Sequence, residues 1–224
     1  MKLQVLVDNN VMSHKEGLRG EHGLSMFIEA DNKKILFDTG ATDLFLENAK
    51  VMQVDLKKID IVALSHHHYD HTGGLKYLHG DFKVVEGPGE PVWLTERLVF
   101  LGTIDRVFTF DFDNEYGDLL DDSALAYISS DGLVIITGCS HSGICNIVEY
   151  AKKITNESRV VDILGGLHLV EPSQDRLNET IKYLQGLSLN KLHPGHCSDF
   201  QSKIAMAKKL PVKDYGVGLS IEHL

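Results

Sequence analysis

The chain of 224 residues is short of cysteine, with three, short of proline, with five, and short of basic side chains. Cys139, Cys145 and Cys197 are an odd number, and "MKLQVLVDNN" at the N-terminus reaches Asp8 and two asparagines too soon to form a signal-peptide core. A disulfide framework is therefore not expected, and the cytoplasm is the expected compartment. Spanning a bilayer takes about 18 or more consecutive apolar residues; the chain has no such run, so no membrane partner is expected. With 22 Lys and Arg against 32 Asp and Glu, the formal charge is −10. That balance argues against the broad phosphate-binding surface of a nucleic-acid binder, although it leaves room for a local basic pocket.

What is present is ordinary globular material. Hydrophobic residues make up 43% of the chain, enough for one domain over 1–224 to bury a substantial core. Short β-branched or apolar runs recur at "LQVLV" from Leu3, "SMFIEA" from Ser25, "KILFDTG" from Lys34, "IDIVALS" from Ile59, "LVIITG" from Leu133 and "RVVDILGG" from Arg159. Each reads as a strand. "NIVEYAKKI" sets Ile147, Tyr150, Ala151 and Ile154 on one helical face, and "PSQDRLNETIKYLQGL" sets Leu177, Ile181, Leu184 and Leu187 at three- and four-residue spacing. Pro172 and Ser173 are start signals for the second helix, and Gly186 marks its last turn. Strands first, then strands mixed with helices, predict an α/β layered fold with helices covering sheets. "EGPGEPVWLTERLVFLG" from Glu86 reads as an irregular insertion or edge element.

The histidines are concentrated in "LSHHHYDHTGG", Leu64 to Gly74. His66, His68, Asp70 and His71 fit H-x-H-x-D-H directly after the apolar strand "IDIVAL", so the loop is held at the end of a rigid element. Two residues apart in an extended segment, His66 and His68 point the same way and can share one metal, leaving Asp70 and His71 for a second. Neutral imidazoles with one carboxylate suit Zn²⁺, with Mn²⁺ or Fe²⁺ as alternatives. Four ligands do not complete two sites. His141, His168 and His196 each follow an apolar run and are the natural additions.

These elements, "LFDTG" with Asp38, "SHHHYDHTGG", "TGCSHSG" with His141 and "HPGHC" with His196, resemble in order the successive motifs of the metallo-β-lactamase-fold hydrolase superfamily. The resemblance implies a four-layer αββα sandwich with two divalent metal ions at one edge. His66, His68 and His141 would hold one ion; Asp70, His71 and His196 would hold the other. Where many members carry an aspartate shared by both metals, this chain reads "ILGGLHL" and offers His168, which could bridge, bind one ion or contact substrate; Asp162 is the competing candidate. "EHGLS", "GGLHL" and the "HC" after the last ligand are similar to one branch, that of the 7,8-dihydropterin-6-methyl-4-(β-D-ribofuranosyl)aminobenzene 5′-phosphate synthases and their relatives.

The activity implied is a di-metal hydrolase using metal-bound hydroxide on a small-molecule phosphoester. The alternatives are the carbon-transferring chemistry of the synthase branch and a non-hydrolytic metal-binding or redox protein on the same fold. Asp70 and Asp38 are the residues expected to serve catalysis, Asp38 by orienting a ligand histidine. Glu21, His22 and His67 are expected on the substrate side, with His67 otherwise exposed, and His193 is a weaker candidate for a proton donor. His14, His79 and His223 are expected at the surface. Cys139 and Cys197 flank ligands and are expected to be buried and inert, because the histidines that would activate them are assigned to metal. A homodimer is the expected assembly.

Overall fold

A computed structural model describes residues 1–12, 16–112 and 121–224. Two six-stranded sheets face each other. The first contains β1 (Lys2–Val7), β2 (Ser25–Ala30), β3 (Lys33–Phe37), β4 (Ile61–Leu64), β5 (Lys83–Glu86) and β12 (Ser220–Glu222), in the order β12-β1-β2-β3-β4-β5. Its members pair antiparallel up to β3, then β3, β4 and β5 run parallel. The second contains β6 (Val92–Trp93), β7 (Leu98–Phe100), β8 (Ala124–Ile128), β9 (Leu133–Thr137), β10 (Val160–Gly166) and β11 (Lys191–Gly195), in the order β11-β10-β9-β8-β7-β6. Here β9, β10 and β11 are the parallel members.

Alternation along the strands decides the layers. In β2 and β3, Ile28, Ile35 and Phe37 turn inward and meet Phe100, Leu125, Tyr127, Val134 and Ile136 of the second sheet. Phe27 and Leu36 turn outward onto Phe45 and Ala49 of α1 (Leu44–Val51). On the other side, Leu133 and Ile135 pack under α3 (Ile144–Thr155), α4 (Gln174–Gln185) and α5 (Phe200–Ala207) through Ile147, Ile181 and Met206. The result is the expected αββα sandwich. Full burial of one such side chain contributes about 1.5–3 kcal/mol, so the layer between the sheets and the layers beneath the helices each contribute substantially to cohesion.

The two anticipated helices form, and the Ser173 side chain caps α4 by accepting from the Arg176 N–H. Strands β6 and β12 are too short, at two and three residues, to leave a periodic signature. Strand β8, "ALAYI", is buried on both faces over its first four residues, so it shows no alternation. The Glu86 to Gly102 stretch becomes the outer edge of the second sheet. Among the described residues, no helix is long and apolar enough to cross a membrane.

Candidate metal centre

The candidate side chains sit just beyond the carboxyl ends of the parallel strands: Asp38 after β3, His66 after β4, His141 after β9, His168 after β10 and His196 after β11. Parallel strands end at one edge of their sheet, so residues distant in sequence arrive together. A backbone bond from Ser123 N to the Ser65 carbonyl, 2.8 Å, ties the second sheet to the histidine loop at this edge. Asp38, Ser140, His168 and His196 have φ of 56°, 67°, 50° and 40°. Non-glycine residues held in this left-handed region cost about 1–3 kcal/mol each and gather at functional sites.

His66, His68 and His141 present ligand atoms within 4.8 Å of one another. Their rings are 4.6 Å (His66–His68), 4.6 Å (His66–His141) and 5.0 Å (His68–His141) apart between centroids. His66 is buried, and its Nδ1 donates to Ser65 Oγ at 2.9 Å, which itself donates to Asp38 Oδ2 at 2.7 Å. That network assigns the proton to Nδ1 and leaves the Nε2 lone pair facing the site, where it has no hydrogen-bond partner among the described residues. Burial, then the neighbouring His71, His141 and His68 rings, hold the His66 pKa far down, so its imidazole is neutral. His68 is lowered in the same way by burial and by His141.

Asp70, His71 and His196 form the second set. His71 Nε2 is 3.1 Å from His196 Nε2 and 3.6 Å from Asp70 Oδ2, and His196 Nε2 is 3.3 Å from that same oxygen. Ligand atoms sharing a tetrahedral Zn²⁺ with bonds of about 2.0–2.1 Å lie about 3.4 Å apart, so both the donor types and the spacing fit a divalent ion. Burial works to raise the Asp70 pKa, but the His196 hydrogen bond and the His71 charge outweigh it and hold the carboxylate ionised. For His196 burial works downward, and the bond to Asp70 carries the balance upward.

Supporting residues fix these rings. Asp38 is fully buried, and its Oδ2 accepts from His71 Nδ1 at 2.7 Å while reaching His66 through Ser65. Asp8 accepts from the His196 backbone N–H at 2.8 Å, and Asn9 Oδ1 meets His196 Nδ1 at 3.1 Å. Asp121 lies 3.3 Å from His141 Nδ1 and raises its pKa against the effect of burial. Such partners orient metal-ligating imidazoles and increase their basicity. Asp8, Asn9, Ser65 and Asp121 escape sequence reasoning; only "VDNN" and "LSHHH" hint at them, and neither names a partner.

The ligand sets open into a pocket of about 380 Å³, lined in part by His22, His168, Cys139 and Cys197. His22 is exposed at its rim, with Nε2 3.3 Å from Asp70 Oδ2. His168 lines the pocket 4.8 Å ring to ring from His141, yet it joins no convergent ligand group among the described residues. The bridging position therefore gains no support from its placement. The two cysteines, expected to stand apart from the chemistry, face it: Cys139 Sγ is 3.2 Å from His71 Nε2. The bond with Cys197, then burial, push the Cys139 thiol up.

Several expectations are corrected. Glu21 does not face the pocket, because its carboxylate accepts from Ala41 N, Thr42 N and Thr42 Oγ1 at 3.0, 3.1 and 2.7 Å and locks the turn after β3. His67 is exposed and lines no part of the pocket, since it alternates away from its two neighbours. Asp162 is no rival for a metal: it lies inside β10, buried, bound to His193 Nδ1 at 2.9 Å and His223 Nε2 at 3.1 Å. His193 is buried in that cluster and lines no part of the pocket, so it is not placed as a proton donor there, and His223 is drawn largely off the surface. His79 is exposed, and His14 lies outside the described residues.

Residues 18–152, more than half of the chain, match the metallo-β-lactamase superfamily. The chain is 28% identical to the 7,8-dihydropterin-6-methyl-4-(β-D-ribofuranosyl)-aminobenzene-5′-phosphate synthase of Methanocaldococcus jannaschii, the similarity covering 82% of this chain and 83% of that one. An uncharacterized protein of the same organism is 29% identical over 89% of this chain and 91% of its own. The crystal structure of Tm1679, a metal-dependent hydrolase of the β-lactamase superfamily, superposes with a TM-score of 0.84 at 28% identity, over 99% of this chain and 98% of that one. With its two sheets, its strand-end histidines and the family match in agreement, the chain belongs to the metallo-β-lactamase superfamily.

Proposed function

We propose that this protein is a di-metal-dependent hydrolase of a small phosphoester, with Zn²⁺ as the metal at both positions. One observation carries the reading: the His66, His68, His141 set and the Asp70, His71, His196 set converge beneath a single pocket, with His66 Nε2 buried and unmet. Divalent ions held there by these residues would lower the pKa of bound water to about 7 and polarise a phosphoryl oxygen. Asp38 holds the His71 ring directly and the His66 ring through Ser65, so both sets share one anchor. Among the described residues the pocket wall contains no Lys or Arg. Substrate negative charge is therefore met by the metals and by the imidazoles of His22 and His168. His22, exposed at the rim and bonded to Asp70, is placed to pass a proton to the leaving oxygen. A pocket of about 380 Å³ suits a small molecule better than a polymer.

The test combines metal analysis with a panel of phosphomonoesters and phosphodiesters. Purified protein supplemented with Zn²⁺ is expected to retain close to two equivalents and to cleave at least one ester. His68→Ala is expected to lose that turnover by a factor on the order of 100 or more, as loss of a ligand to a catalytic metal demands. Retention of the parent rate by His68→Ala places the chemistry elsewhere. The likeness to the archaeal synthase favours a second reading, a carbon-transferring reaction in the same pocket. Formation of the compound named for that synthase by metal-loaded protein, with no ester cleaved, decides for it.

A further inference from the structure

Cys139 and Cys197 each stand two residues past a strand end, after β9 and β11, on either side of the end of β10. Gly166 closes β10 between them. A Cβ there would lie 2.6 Å from Cys197 Sγ and 3.3 Å from the Cys139 Cα, so a residue without a side chain is what lets both thiols converge over the strand. The two do not face the site equally. Cys197 donates its S–H to the Cys139 carbonyl and accepts from the His168 backbone N–H, both at 3.3 Å. Cys139 Sγ is aimed at His71 Nε2, 3.2 Å away, and belongs to two convergent groups, one with His66 and His71, the other with His196 and Cys197. Its sulfur thus lies against the second ligand set on the side facing the first. Of the loop after β10, His168 is the residue that lines the pocket.

We propose that Cys139 is a ligand, as thiolate, to the metal held by Asp70, His71 and His196, with its proton passing to solvent, and that Cys197 positions it through the backbone. The coordination becomes nitrogen, oxygen and sulfur, a mixed set that favours Zn²⁺ or Cd²⁺ over Mn²⁺. This rests on the reading that metals occupy the two sets. X-ray absorption at the zinc edge of the metal-loaded, full-length protein separates the two claims. The expected spectrum, averaged over both ions, has one sulfur scatterer for every two zincs at about 2.3 Å beside nitrogen and oxygen at about 2.0–2.2 Å. Cys197→Ser keeps the sulfur shell; Cys139→Ser loses it. Should Cys139→Ser fail to fold, a sulfur shell in Cys197→Ser still assigns the ligand to Cys139, because Cys145, the third cysteine, is sealed in the core within the first turn of α3. Zinc bound through nitrogen and oxygen alone, or a sulfur shell that survives in Cys139→Ser, overturns the assignment while leaving the metal site standing. Absence of zinc overturns the metal reading itself.

Discussion

His71 is committed at both ring nitrogens, Nδ1 to Asp38 and Nε2 into the cluster of His196, Asp70 and Cys139. Replacing Asp38 with Asn removes the negative charge that fixes this tautomer and, through Ser65, that of His66. Asp38→Asn is expected to weaken zinc binding about 10- to 100-fold, read by competition against a chromophoric chelator; unchanged affinity would mean that the rings are held without it. At this scale the ligands were legible because H-x-H-x-D-H is a local pattern whose geometry follows from an extended chain. Asp8 and Asn9 were not. They bond to His196, which lies 188 and 187 residues further along, and no rule of spacing reaches that far.

Among the elements, the strand ends depend on close backbone approach. Gly138, the residue after β9, would place a Cβ 2.2 Å from Ser65 Oγ and 3.2 Å from Asp38 Oδ2. Gly138→Ala should therefore displace Ser65 and cost about 1–3 kcal/mol in urea unfolding, the range for overpacking, together with weaker zinc binding. The start of α3 carries a different device. Asp111, from a distant loop, accepts from Cys145 N at 2.6 Å and Asn146 N at 3.1 Å, and burial pushes its pKa up to about 6 from an ordinary 3.8. A carboxyl raised on folding binds its proton more tightly in the native state. Its contribution is complete below about pH 3.8 and is lost as pH rises through about 6, a change of up to about 3 kcal/mol. Asp111→Asn should lack this slope, so that in guanidinium melts the stability of the parent relative to the variant falls as pH rises from 4 to 6.5. Parallel slopes would show that the group is not buried as described.

For the molecule as a whole, two sheets meet through one apolar layer and share one functional edge. The candidate ligands come from both sheets, so a bound metal would tighten that edge further. Zinc at 100 times its dissociation constant should add about 2.7 kcal/mol to unfolding, or roughly 5–11 °C in midpoint for a domain of this size. Scanning calorimetry with and without a chelator measures this directly, and coincident transitions would count against a filled site.

The sequence by itself determined the layered α/β class, six of the twelve strands, the two long helices and the candidate ligands of the histidine loop, since each follows from periodicity or from short spacing along a rigid strand. The tertiary structure alone decided which atoms converge. It turned Glu21 into a turn lock and Asp162, His193 and His223 into a separate buried cluster, and it carried Cys139 from the margin into contact with His71. Those outcomes depend on sheet register and on which faces pack together, quantities set by the whole core rather than by any neighbouring residues.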